Sequence, residues 1–176
     1  METLDVSTVV YLPPGEIYEF LVDFPRYGDY SEHLSEIRSH GDGSPGTEYE
    51  LTFAWWKLAY TARSAVTGVD PPNRIDWELV RDLDAHGSWE IAAEPSAGPP
   101  ARESASRVHF VVHYAPASAS PDAIDLPALT SFEWVLSKVQ PKIEAEAERV
   151  LKRVVSDLEG EQREVSLTVH ETPDLH

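Results

Sequence analysis

His109 and His113, four residues apart, are the histidine pair whose spacing suggests metal chemistry. On a helix, two imidazoles at i and i+4 share a face and can grip one zinc ion. Here Val108, Phe110, Val112 and Tyr114 alternate around them, so the segment reads as a strand. On a strand the same spacing separates the rings by ~13 Å, too far to share one ion, and both point away from Phe110 and Tyr114, toward solvent. No metal site is expected. His33, beside Tyr30 and Glu32, could gate a site or move a proton, as histidine side chains can; a plain surface histidine is the alternative. Gly41, Gly43 and Gly46 match G-x-G-x-x-G, which cradles a pyrophosphate only when a helix follows. The β-branched and aromatic run TEYELTFAWW follows instead, and Pro45 sits inside the match, so a hairpin turn is expected. There is no G-x-S-x-G and no phosphate-loop motif. The chain has no cysteine, which excludes disulfides, thiolate metal sites and cysteine nucleophiles. No residue is assigned a catalytic role, and no cofactor is implied.

The remaining chemistry is apolar. Tyr49, Leu51, Phe53 and Trp55 share one face of a strand expected over Thr47–Trp56. Leu58, Tyr60, Ala62, Ser64 and Val66 share one face of the next, about Leu58–Val69. Asp70-Pro71-Pro72-Asn73 is a turn. Ile75, Trp77 and Leu79 alternate after it, then Trp89, Ile91 and Ala93, then Val108, Phe110, Val112 and Tyr114. If these faces meet a helix, the space beneath it is lined by Phe53, Trp55, Tyr60, Trp77, Trp89, Phe110, Tyr114, Phe132, Val135 and Val139. Aromatic alternation of this kind suits a filled core as well as a ligand pocket. Tyr60, Ser64 and Tyr114 are the polar side chains expected to point inward. A one-residue slip of register would move every one of these groups to the other face.

The element that must cover this surface is a helix over about Thr130–Glu159. Phe132, Val135, Leu136, Val139, Ile143, Ala147, Val150, Leu151, Val154, Val155 and Leu158 make one apolar stripe, with Glu144, Glu146, Glu148, Lys152 and Arg153 expected in water. Thr130 or Ser131 supplies the N-cap, and Pro141 should bend the helix. Toward the N-terminus, residues 2–11 alternate as an opening strand. Pro13-Pro14 starts a short helix carrying Ile17, Phe20, Leu21 and Phe24, and Arg26–His33 reads as a turn plus a second short helix. Residues 34–40 make a weak strand. Segments 95–105 and 115–127 are Pro/Ser/Ala-rich loops. No strand–helix–strand alternation occurs, so the expectation is an α+β fold with a meandering antiparallel sheet of about seven strands. One domain is expected over 1–160. Residues 161–176 form a tail, with a short strand at Glu164–His170 and a disordered end.

Charge bounds the partners. Thirty-one acidic residues oppose 14 basic ones, for a net charge of −17. Only four lysines and one asparagine occur. That balance reads as adaptation to a salt-rich cytoplasm, where the Debye length falls to ~3 Å at 1 M; an acidic partner-binding face is the rival reading. It argues against nucleic acid. No membrane span and no signal peptide are read, so a soluble cytoplasmic protein, monomer or homodimer, is expected.

The stretches VSTVVYLPPGEIYEFLVDFPRYGDYSEHL (6–34), VDPPNRIDWELV (69–80) and GSWEIAAEP (87–95), with the final amphipathic helix, resemble the START-like superfamily (SRPBCC, the helix-grip fold). Within it the polyketide cyclase/dehydrase and coenzyme Q-binding type looks nearest. The resemblance implies a curved sheet wrapped around the long helix, with a hydrophobic cavity between them. Ligand binding then outranks plain core filling, so Phe53, Trp55, Tyr60, Ser64, Trp77, Trp89, Phe110, Tyr114, Phe132, Val135 and Val139 become cavity lining. Tyr27, Tyr30 and His33 are placed at its mouth, near the 95–105 loop. The implied function is binding or carrying a lipid, quinone or polyketide-like molecule, rather than catalysis. An aromatase/cyclase or dehydrase is the alternative, and an adaptor for a chaperone or respiratory complex the third.

Overall fold

A computed structural model describes the backbone of residues 1–55, 58–120 and 132–172, and their side chains except at 55, 58 and 132–144. The elements, in order, are β1 (Glu2–Val10), α1 (Pro14–Val22), a 3-10 turn (Phe24–Asp29), β2 (Leu34–His40), β3 (Glu48–Trp55) and β4 (Leu58–Asp70). After them come β5 (Arg74–Leu79), β6 (Asp84–Ala93), β7 (Ser106–Ala115), α2 (Phe132–Glu159) and β8 (Thr168–Glu171). The strands form one sheet in the order β2-β3-β4-β5-β6-β7-β1-β8, antiparallel at every step.

Local chemistry explains the joints. Pro14 opens α1, where a missing N–H loses no hydrogen bond. Pro25 lacks the N–H that would carry α1 onward, and the segment read as a turn plus a second short helix settles as a 3-10 stretch over Phe24–Asp29. Gly41, Gly43 and Gly46 all take positive φ in the β2–β3 turn, so the glycine motif serves a hairpin. At the β4–β5 turn the chain's single asparagine locks two strands together. The Asn73 N–H donates to the Asp70 carbonyl (2.8 Å), and its side-chain amide donates to the Ile91 carbonyl (2.9 Å). α2 runs through Pro141 to Glu159 and ends at Gly160, whose φ of +78° closes the last turn on the Ser156 carbonyl.

One end of the sheet carries the core. Ile17, Phe20 and Leu21 of α1, and Val155 of α2, close over Val10, Val66, Ile75, Ile91 and Val108, and Ile75 is fully buried. A buried aliphatic side chain of this kind stabilises by about 1.5–3 kcal/mol. The exit of α2 is tied down by a charged knot. Glu159, whose side chain is completely buried, accepts from Arg163 Nε (2.7 Å), Arg163 Nη2 (2.9 Å) and the Tyr11 N–H (2.8 Å). Arg163 also donates to the Val9 carbonyl (2.7 Å), and its guanidinium lies over the Tyr11 ring at 3.7 Å. β1 and the end of α2 are thereby joined through one ion pair.

Candidate functional site

Strand register decides which side chains face α2. Phe53 pairs with Tyr60 and Tyr49 with Ser64; Ser64 pairs with Leu79 and Val66 with Trp77. Ile75 pairs with Trp89, Trp89 with Phe110, and Ala85 with Tyr114. Directly opposed residues share a face. Phe53, Tyr60, Ser64, Trp77, Trp89, Phe110 and Tyr114 therefore lie on the same face as Val66, Ile75, Ile91 and Val108 of the core. Trp55 pairs with Leu58 in the same register, but its side chain lies outside the described residues. Those of Phe132, Val135 and Val139 do too.

Across the middle of this face the aromatic rings touch. Trp89 and Phe110 have centroids 4.5 Å apart, and Phe110 stacks on Trp77 at 5.9 Å with the planes 13° apart. Gly87, between them in β6, makes the arrangement possible. A Cβ there would stand 2.7 Å from Trp77 Cζ2 and 2.1 Å from the Val111 carbonyl oxygen. The indole lies across the bare glycine backbone. Its Nε1 is buried and has no hydrogen-bond partner among the described residues. Such a donor costs about 1–3 kcal/mol unless something accepts from it. Beyond Trp77 the face opens: Phe53 is 41% exposed, and Tyr60, Ser64 and Tyr114 are half-buried. The Tyr60 hydroxyl has its pKa raised by burial and then by Asp82, and Tyr114 likewise by burial and then by Glu2. Both phenols are neutral donors at physiological pH.

The residues placed at the mouth are built into the packing. Tyr27 stacks on Phe20 (5.6 Å) and donates to the Leu21 carbonyl, and burial, ahead of Asp23, lifts its pKa well above the ordinary value. Tyr30 is buried, meets the Phe20 ring edge-on (5.6 Å), and donates to Asp157 of α2. Arg153 returns a bond to the Tyr30 carbonyl (3.2 Å). His33 stands 3.9 Å from Glu146.

Among the described side chains of α2, two differ from the helical-stripe expectation. Glu146, expected in water, has a side chain only 13% exposed, with Ser31 Oγ 3.5 Å and Arg149 Nη1 3.2 Å away. Ala147, expected on the apolar stripe, is exposed. The reason is the 3-10 turn and the residues after it. They pack against the helix edge bearing Glu146, Val150, Arg153 and Asp157, which rotates that edge inward. Between this turn, the last turns of α2 and the tail runs an open polar groove of about 1020 Å³, bordered by Arg26, Asp29, Lys152, Ser156 and Gln162. Its lining is charged, unlike the aromatic face.

No family model matches the sequence, and no curated protein matches it. Solved structures do match in shape. The Zhui aromatase/cyclase from a Streptomyces species superposes with a TM-score of 0.62 at 14% identity, covering 89% of this chain and 93% of its own. Ara h 8.0201 gives 0.55 at 16% identity, covering 90% and 97%. The di-domain aromatase/cyclase StfQ of the steffimycin pathway gives 0.57 at 14% identity, and there 89% of this chain spans half of the longer protein. At such identities the likeness is one of fold, and the fold agrees with the sheet order and the long C-terminal helix described above. The chain has the helix-grip fold.

Proposed function

We propose that the protein binds a hydrophobic small molecule carrying at least one hydrogen-bond acceptor, held between the aromatic face of the sheet and α2. The observation that carries this reading is Trp77. Its ring forms part of an apolar floor, while its buried Nε1 offers a proton that no described residue accepts. A ligand carbonyl would satisfy that donor, and its apolar body would cover Phe53, Trp89 and Phe110. Tyr60 and Tyr114, neutral and half-buried, would add orienting bonds. Quinones and polyketide-like chains combine apolar area with carbonyl oxygens, so they fit better than a plain alkane.

A second reading, an aromatase/cyclase or dehydrase, is favoured by His33 and Glu146. A half-buried imidazole 3.9 Å from a mostly buried carboxylate places a donor and an acceptor where a proton could be passed between them. Two of the structures named above are aromatase/cyclases.

Mass spectrometry of organic extracts tests the binding reading. The protein would be purified in high salt beside an unrelated acidic protein. A specific co-purified quinone, lipid or polyketide supports it. If the extract is empty and the folded protein also takes up no naphthoquinone in equilibrium dialysis, the reading fails.

A further inference from the structure

The outer face of the sheet, away from α2, gathers residues that are far apart in the chain. Asp5 of β1, His109 of β7 and His170 of β8 each place one potential ligand atom within 4.8 Å of the others. His109 Nδ1 is 3.1 Å from Asp5 Oδ1, and the His109 and His170 rings stack with centroids 5.0 Å apart. The step that brings His170 in is an irregularity in strand pairing. Asp5 pairs with Glu171 and Val6 with Val169, so His170 is the extra residue of a bulge. Bulges re-aim a side chain, and this one lays an imidazole against β1. Ser7 Oγ lies 2.7 Å from His170 Nε2.

We infer that Asp5, His109 and His170 form a binding site for a divalent transition-metal ion, zinc foremost, which fastens the C-terminal strand β8 to the sheet. Two imidazoles and one carboxylate are borderline donors that suit zinc, copper or nickel, whereas calcium and magnesium ask for oxygen throughout. Metal–ligand bonds of 2.0–2.2 Å set tetrahedral ligand atoms about 3.4 Å apart. The Asp5–His109 contact, at 3.1 Å, is already close to that spacing. The widest separation has to close by about 1.4 Å, and His170 is exposed and can turn to do it. The stacked rings must swing so that their lone pairs converge, and water would complete the coordination. A hydroxyl on one imidazole nitrogen, as Ser7 provides, fixes which nitrogen meets an ion.

Neighbouring charges permit a cation. Arg107 reaches Ser7 Oγ at 3.5 Å, but its Nε is engaged by Glu94 at 2.7 Å. Glu90 pairs with His109 across β6–β7, and it binds Arg74 at 2.5 Å. The net charge of −17 raises the local concentration of cations.

The test uses the full chain, stripped with chelator and checked for folding by circular dichroism. Zinc is titrated against a competing metal dye, and cobalt is followed by its visible absorption. One-to-one uptake with a tetrahedral cobalt spectrum is expected. His170→Ala and Asp5→Asn should each weaken it by about 10–100-fold. A His86→Ala/His113→Ala double variant removes the other imidazole pair of this face, whose centroids are 5.3 Å apart, and should bind like the wild type. Zinc should also protect the segment after Gly160 from limited proteolysis, and His170→Ala should abolish that protection. Absence of saturable one-to-one binding, or unchanged affinity in His170→Ala, overturns the site and leaves a His109–Asp5 ion pair beneath a stacked ring.

Discussion

Replacing Gly87 with alanine tests the aromatic floor at its foundation. The added methyl would meet Trp77 Cζ2 at 2.7 Å and Cε2 at 3.0 Å, and the Val111 carbonyl oxygen at 2.1 Å. The indole can tilt, but only by leaving its 13° stack on Phe110. The carbonyl belongs to a strand paired to β6 along its whole length, so relief there means moving β7. Overpacking by one methyl ordinarily costs about 1–3 kcal/mol. With backbone as one of two obstacles, the upper end, about 3 kcal/mol, is expected. For a chain of this size each kcal/mol lowers Tm by roughly 2–4 °C, giving a fall of about 6–12 °C by calorimetry. A cycle with Trp77→Ala separates the two obstacles: removing the indole should recover about 1 kcal/mol of the Gly87→Ala loss and leave the backbone share. A Gly87→Ala protein within about 0.5 kcal/mol of wild type would refute the placement of Trp77 across the glycine, and the buried donor argued from it.

Three further outcomes are expected. Trp77→Phe keeps an aromatic ring but removes Nε1; affinity for a carbonyl-bearing ligand should fall about 5–10-fold by calorimetric titration while a pure hydrocarbon binds as before, and equal losses for both would show that the ring alone matters. Arg163→Ala leaves Glu159 charged in a site with no exposure, so urea denaturation should show a loss of about 3–5 kcal/mol, much of it restored by adding Glu159→Gln. A loss below about 1 kcal/mol would mean that the knot is solvated. Tyr27 and Tyr49 are raised chiefly by burial, and Tyr30 chiefly by its bond to Asp157. Folded phenols therefore keep protons that unfolded ones release near pH 10, so this part of the stability is full below pH 10 and drops as pH climbs beyond it. Denaturant midpoints that stay flat through pH 11 would contradict those environments.

How far the sequence can be read depends on the range of the interaction. Alternation along each strand depends only on neighbours. It places Phe53, Tyr60, Trp77, Trp89 and Phe110 on one face, and pairing such as Trp89 with Phe110 agrees. The turn at Asp70–Asn73 and the glycine hairpin are equally local. Glu146 escaped that reasoning because its burial comes from the segment around Tyr30, over a hundred residues earlier, which no helical period can report. His109 was judged against His113, its neighbour in sequence, whereas it stacks on His170, brought back by the chain's return beyond α2. Gly87 lies within β6, whose alternation says nothing of what stands across from it. Its need for a bare backbone follows from the indole of a different strand.

The position of β1 sets the order in which this protein can be made. Glu2 pairs with Tyr114 and Val10 with Ser106, so β1 leaves the ribosome well ahead of its partner and stays unpaired until β7 follows. At about 5–20 residues per second, the roughly one hundred intervening residues take on the order of 5–20 s to synthesise. During that time the meander β2–β7 can zip together strand by strand, while β1 stays detached with both edges open. Pairings of such long range close slowly, because the chain entropy is lost before the contacts form. β8, which emerges after α2, then covers the flank of β1 that β7 leaves open. Nascent chains stalled before residue 106 should therefore display the N-terminal strand to any protease or chaperone at hand, and chains released after residue 171 should not.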